Sequence, residues 1–235
     1  MTRDRCNQYW CDFCNAFVAT GDIGKTVEFE KYLGDLLPSR TICETEHFSV
    51  IASLGPIVEG YLLILSKEHY PSMAHIPEKY HSELASLHQS IHSTLTKIYA
   101  PAITFEHGPM PINSETGSPA EGGGSCVDHA HFHILPFPFI ANHVISMLKN
   151  QFSWRQIRYY NELKLQVESN TPYFFVETQD GSRYVFDATV AQPQYLRRIL
   201  ASFTNAPERW NWRLFPETER IVTTVKRLRA KVIRV

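Results

Sequence analysis

No stretch of this 235-residue chain approaches a membrane span, which takes roughly 18 or more consecutive apolar residues. The opening residues, Met1-Thr2-Arg3-Asp4-Arg5, lack the apolar core of an export signal. Charge of one sign is missing too. The formal net charge is −1, so no global basic field favours a nucleic-acid partner, although a local basic patch stays open. Cysteine is scarce, with five residues at positions 6, 11, 14, 43 and 126. An odd number with no export signal argues against a disulfide framework. Internal repeats and long low-complexity segments are absent. These absences predict a cytoplasmic globular protein with no membrane partner. Its length suits one large domain, or a domain of roughly 150 residues plus an extension.

What is present falls into two parts. His47–Ser53 and Tyr61–Ser66 are short apolar runs punctuated by Gly55-Pro56 and Gly60, so residues 40–66 read as a strand meander. Leu84, Leu87, Ile91, Leu95 and Ile98 recur at helical spacing and predict a helix near Pro77–Tyr99. Ala102–Glu106 reads as a strand, residues 108–125 as a Gly-, Pro- and Ser-rich loop, and His129–Leu135 as a strand stopped by Pro136 and Pro138. The expected boundary falls at residues 140 and 141, giving a domain over 1–140 and an extension over 141–235. In the extension a helix is predicted from Pro138 to about Tyr160. Tyr173–Glu177 and Tyr184–Asp187 flank a hairpin turn at Gln179-Asp180-Gly181-Ser182, and helices are predicted around 194–203 and 217–231.

Cys11-Asp12-Phe13-Cys14 has CxxC spacing, which serves metal binding or redox chemistry. A redox pair belongs near a βαβ pattern. No strand precedes this one, so metal is the favoured reading, with redox and no role as alternatives.

The most informative stretch is Asp128-His129-Ala130-His131-Phe132-His133-Ile134-Leu135. Side chains alternate along a strand, so the three histidines share one face while Ala130, Phe132 and Ile134 can enter the core. Neighbouring imidazoles start roughly 6.6 Å apart and the outer two roughly 13 Å. One metal with Zn–N bonds of about 2 Å does not easily hold all three, so the row should divide its labour.

This row resembles the motif of the histidine-triad (HIT) superfamily, three histidines alternating with apolar residues. Cys11-x-x-Cys14 resembles the N-terminal pair of its zinc-containing members, and Glu59–His69 looks like the family's strand ending in a Pro-Lys-x-His segment. The match covers roughly residues 10–140. The resemblance implies an α+β fold, an antiparallel sheet of about five strands with a long helix packed on it, followed here by a C-terminal α/β extension. It implies hydrolysis or transfer at a nucleotide α-phosphate, with His131 as nucleophile and His133 assisting at the phosphate or leaving group. It also implies a structural zinc ion held by Cys11, Cys14, His69 and His129, two thiolates and two imidazoles in a closed tetrahedral set. Expected substrates are nucleotide conjugates such as dinucleoside polyphosphates or phosphoramidates. His133 favours a hydrolase, since uridylyltransferase-type members carry Gln at that place.

Attack on an anionic phosphorus needs an uncharged nucleophile. Neutral imidazole suits pH 7, provided the nitrogen facing away is held as N–H by a backbone carbonyl. Donors for the phosphate oxygens are expected from backbone N–H groups of Gly124, Ser125 and Cys126, after the run Gly122-Gly123-Gly124. Three positions depart from the family pattern. Tyr61 stands where many members have histidine, Glu106 where the hydrolases have Asn or Gln, and Cys126 where a serine often meets phosphate. Tyr61 and Glu106 are therefore expected at the substrate, the latter with a solvated strand-end carboxylate as the equal alternative. His107 can enter the site or sit plainly at the surface, and the long loop Pro109–Pro119 can form a lid or wall. Residues 172–177 and 208–213 resemble segments of the splicing-associated CwfJ proteins, which gives a non-catalytic nucleotide- or RNA-binding protein as the alternative class. Trp210 and Trp212 are expected in the core. Small triad proteins are usually homodimers, so a homodimer or a pseudo-dimeric monomer is expected.

Overall fold

The computed structural model describes residues 11–111, 120–125 and 127–231. The expected phosphate contact at Cys126 and most of the 109–119 loop lie outside these residues. The chain opens with two helices that the sequence analysis does not anticipate, α1 (Asp12–Thr20) and α2 (Val27–Leu33). Thr26 caps α2 by accepting the Phe29 N–H, and Phe29 and Leu33 point one way into the core. Three strands follow, β1 (Thr41–Glu44), β2 (Phe48–Ala52) and β3 (Leu62–Ser66), and then the long helix α3 (His81–Ile98). Its buried residues Leu84, Leu87, Ile91 and Leu95 are those of the predicted stripe. Next come β4 (Ala102–Gly108), the short pair β5 (Met110–Pro111) and β6 (Ala120–Glu121), and β7 (His131–Pro136).

The later region supplies α4 (Ala141–Lys149), β8 (Trp154–Ile157), α5 (Lys164–Glu168), β9 (Tyr173–Glu177), β10 (Arg183–Asp187), α6 (Tyr195–Ser202) and α7 (Thr218–Leu228). Two expectations are corrected here. Residues 154–157 form a strand rather than the end of a helix. Only Ile157 of the four is buried, so no apolar alternation betrays this edge strand, and its pairing with β10 decides its state. The main sheet has eight strands rather than about five, in the order β1-β2-β3-β7-β4-β9-β10-β8, each neighbouring pair antiparallel. The junction is β4 against β9, where Thr104 faces Glu177 and Gly108 faces Tyr173. Residues on both sides of position 140 thus build one sheet.

That sheet separates two cores, and strand alternation assigns residues to them. One holds Leu62, Ile64, Phe132, Ile134, Tyr173 and Phe175 against α2, α3 and α7. The other holds Tyr61, Leu63, Phe105, Phe174 and Val176 against α1, α4 and α6. Phe132 and Ile134 are completely buried in the first core. Their alternates His131 and His133 therefore face the second side, where α1 and α6 flank a pocket.

Candidate functional site

The cysteine pair owes its shape to the start of α1. Cys11 sits at the cap and Cys14 one turn on, and the Asn15 N–H closes onto the Cys11 carbonyl at 2.9 Å. Side chains three apart on a helix lie on one face. Cys11, Cys14, His69 and His129 converge with their ligand atoms all within 4.8 Å of one another. Cys11 Sγ lies 3.4 Å and Cys14 Sγ 3.6 Å from His129 Nδ1, and Cys14 Sγ lies 3.4 Å from His69 Nδ1. A tetrahedral centre with Zn–S near 2.3 Å and Zn–N near 2.0–2.1 Å needs sulfur–nitrogen separations of roughly 3.5 Å. The donors fit that requirement. His129 Nε2 donates to the Ser66 carbonyl at 2.7 Å, which leaves Nδ1 as its acceptor nitrogen. The Cys11 thiol is held far below its ordinary range, first by its hydrogen bond with Cys14 and then by His129 and His69. Thiolate is the ligating form. The cluster is compatible with zinc and pins the N-terminal arm beside the histidine strand.

Two residues on, the neighbours change from sulfur to imidazole and pocket. His131 Nδ1 contacts the His129 carbonyl oxygen at 2.6 Å. A carbonyl only accepts, so the proton sits on Nδ1 and the lone pair on Nε2. His131 Nε2 meets His133 Nε2 at 3.0 Å, which makes His133 Nε2–H the donor. His133 Nδ1 in turn accepts from the Tyr61 hydroxyl at 2.9 Å. The hydrogen bonds thus run one way, Tyr61 to His133 to His131 to the His129 carbonyl. Phe105 stacks on the His133 ring, with centroids 4.4 Å apart and planes 11° from parallel, and fixes its orientation. Burial pulls the His131 pKa down to about 4 and that of His133 well below its ordinary value, so both rings are neutral near pH 7.

The pocket over these rings draws on the whole chain. Phe13, Thr26 and Arg40 line it from the N-terminal side, and Gly124 and Ser125 from the loop before β7. Gln194, Arg197 and Trp212 line it from beyond residue 140. Gly124 can only be glycine here. Its φ is +64°, and a Cβ would stand 2.4 Å from the Gln192 carbonyl oxygen. The Gln194 N–H donates to the Gly124 carbonyl at 2.8 Å, which locks the two loops together. Gly55 has φ +55°, and a Cβ on it would stand 2.4 Å from the Trp212 Cα, so glycine here admits Trp212 to the pocket edge.

Several expected site residues take other positions. Glu106 is turned to the opposite face of the sheet, buried and accepting from the Met73 N–H at 2.7 Å and the Tyr173 hydroxyl at 2.5 Å. It is neither at the substrate nor solvated, because the strand places its neighbours Phe105 and His107 toward the pocket side instead. Tyr61 is buried beneath His133 and adjoins the pocket through that ring and through the Arg197 guanidinium, 5.2 Å from the Tyr61 ring centre. Ser125 lines the pocket, but its N–H is directed to the Gly122 carbonyl at 3.3 Å and its hydroxyl to the Val127 carbonyl at 2.8 Å. His107 enters the pocket wall, with Nε2 accepting the Leu196 N–H at 3.1 Å. Trp212 lines the pocket rather than the core, whereas Trp210 is half-buried, packed against the second core with the Arg198 guanidinium 3.4 Å from its ring centre. Arg40, Gln194 and Arg197 were not foreseen. The only signal was an arginine beside the apolar stripe Leu196, Ile199, Leu200.

Among relatives, an uncharacterized HIT-like protein of Borreliella burgdorferi is 24% identical over 148 residues, 60% of this chain and 96% of that one. A second, from Methanocaldococcus jannaschii, is 25% identical over 108 residues, 46% of this chain and 76% of that one. A solved HIT family protein from Bacillus anthracis covers 62% of this chain and 99% of its own at 16% identity, TM-score 0.37. A zinc-bound histidine triad family protein from Mycobacterium smegmatis covers 68% and 97% at 18% identity, TM-score 0.36. Among the described residues, no helix is long and apolar enough to cross a membrane. The family model of the HIT domain matches residues 36–138, the stretch from before β1 to just past the histidine strand, and the histidine row lies inside that match.

Proposed function

We propose that the chain acts on the α-phosphate of a nucleotide conjugate through a covalent nucleotidyl-His131 intermediate, as a hydrolase. The observation that carries this reading is the one-way hydrogen-bond chain that makes Nε2 the unprotonated nitrogen of His131 at a pocket, its lone pair accepting from the His133 Nε2–H until phosphorus takes that place. In the first step Nε2 forms a bond to phosphorus as the bond to the leaving group breaks, and the His133 Nε2–H passes to the leaving group while the Tyr61 hydroxyl proton moves onto His133 Nδ1, so the ring stays neutral. Water then attacks phosphorus, the P–N bond breaks, and the nucleoside monophosphate departs. The water's proton returns to His133, and the Nδ1 proton to Tyr61. Gly124 and Ser125 form the loop side of the phosphate site. A second acceptor in place of water makes the same chemistry a nucleotidyl transfer.

Cys11, Cys14, His69 and His129 would hold a zinc ion. Bound there it supplies a cross-link between the N-terminal arm and the catalytic strand, a structural rather than a reactive role. β9 already occupies the edge of β4, which favours a single chain as the working unit.

The test is a rapid quench with a labelled nucleoside phosphoramidate, followed by peptide mass spectrometry under non-acidic conditions. A nucleoside monophosphate adduct on the peptide containing His131 is expected. Nucleotide binding with neither adduct nor turnover across phosphoramidates and dinucleotides would overturn the reaction and favour the CwfJ-like binding reading.

A further inference from the structure

The pocket has two chemically different walls. On the N-terminal side stand two carboxylates, Asp12 and Glu28, with one cation, Arg40. On the C-terminal side stand Gln194 and Arg197, from the start of α6, with no carboxylate beside them. Arg197 is 3% exposed and makes no ion pair among the described residues. Its Nε donates to the Trp210 carbonyl at 2.9 Å and its Nη2 to the Gly55 carbonyl at 2.6 Å. Those carbonyls fix the guanidinium without cancelling its charge, and a buried cation is ordinarily paired. Five N–H donors belong to the group, so these two bonds leave others to give. The charge is felt at the reactive rings, where it adds to burial in lowering the proton affinity of His133 and His107.

Gln194 is a second, independent sign of a missing ligand. It is 6% exposed, lines the pocket, and its Oε1 is buried with no hydrogen-bond partner. A buried amide left uncommitted costs stability, and a half-turn of its terminal torsion lets it present either N–H or oxygen. Gln194 is also the cap residue of α6, an eight-residue helix whose positive end therefore opens at the pocket.

We propose that Gln194, Arg197 and the first turn of α6 form an anion subsite that binds a phosphate carried by the leaving group. This rests on His131 being the nucleophile, and it assigns the substrate class: nucleotides whose α-phosphate is joined to a further phosphate, in preference to those joined to an amine. With two carboxylates against one cation on the N-terminal wall and an unopposed cation on the C-terminal wall, the α6 side is the favoured place for that tail. The C-terminal region thereby selects the leaving group while residues 36–138 carry the reactive histidines.

The experiment compares two substrates with the same nucleoside monophosphate, one a dinucleoside triphosphate and one a phosphoramidate, and measures inorganic pyrophosphate binding by calorimetry. Wild-type protein should favour the triphosphate in kcat/KM. Arg197→Gln should lower that preference ratio about 30-fold and weaken pyrophosphate by about tenfold or more, the worth of a charge-assisted hydrogen bond. Arg197→Lys should restore part of the ratio. Because Arg197 also ties Gly55 and Trp210, Gln194→Leu gives the same readout without breaking any hydrogen bond that its side chain makes, with an expected loss of about fivefold. An unchanged ratio and unchanged pyrophosphate affinity in both Arg197→Gln and Gln194→Leu overturn the subsite while the nucleophile stands. Pyrophosphate affinity that falls in both variants of a protein that turns over neither substrate keeps the subsite and sinks the reaction.

Discussion

His129 and His131 are the same residue type, two positions apart on one strand, with one flanking residue between them. Their surroundings divide them. His129 meets two sulfurs and a third imidazole, with its far nitrogen tied to Ser66. Among the described residues His131 meets no sulfur ligand; it is tied to the His129 carbonyl on one side and faces His133 and a pocket on the other. In both rings a backbone carbonyl chooses the tautomer, but it protonates Nε2 in the first and Nδ1 in the second. The lone pair thus faces the Cys11, Cys14 and His69 cluster in one case and the His133 N–H at the pocket in the other. A histidine's chemistry follows from which nitrogen its neighbours protonate and what stands before the other.

The comparison is sharpest if the two rings can be broken separately. His131→Ala should cut turnover of a phosphoramidate about ten-thousand-fold and move the melting temperature by no more than about 3 °C. A variant that melts far lower would merge the two roles. Cys14→Ser should do the reverse in kind, removing bound zinc by elemental analysis and lowering the melting point by roughly 10 °C. Full zinc content in that variant would refute the ligand set. Tyr61→Phe deletes the donor that orders His133 and should lower kcat about fivefold, the rate equivalent of one hydrogen bond near 1 kcal/mol; an unchanged kcat would mean His133 holds its tautomer unaided.

The smallest effect belongs to Glu106, on the opposite face. Burial pushes its carboxyl up to about 8, against the donors Met73 N–H and Tyr173 O–H. A raised folded-state pKa contributes stability at low pH that is lost as pH rises through about 8. Thermal melts at roughly pH 5, 7 and 9 should therefore show wild-type protein losing stability faster than Glu106→Gln, with turnover little changed. Parallel melting curves would mean that the carboxyl is already ionised in the folded state.

The triad strand, the α3 stripe and the hairpin at 173–187 were legible because each is a local pattern with a period. Phe132 and Ile134 had to go inward, so His131 and His133 had to go the other way. Residues 154–157 were not legible, since an edge strand with one buried residue carries no period. Glu106 was misplaced for a related reason: alternation says that it opposes Phe105 and His107, but not which face holds the pocket. Arg40, Gln194 and Arg197 have no motif, and only the meeting of distant segments makes them neighbours of the histidines.

The amino-acid sequence alone determined the spacing of the histidines, their shared face and the CxxC spacing of Cys11 and Cys14. Tertiary structure decided the rest, the joining of residues beyond 140 to the sheet through β4 and β9 and the closing of the pocket by α6. Those outcomes depend on hydrogen bonds and burial between segments more than 60 residues apart, as in the β4–β9 pairing, and chain-local periodicity carries no information about such pairings.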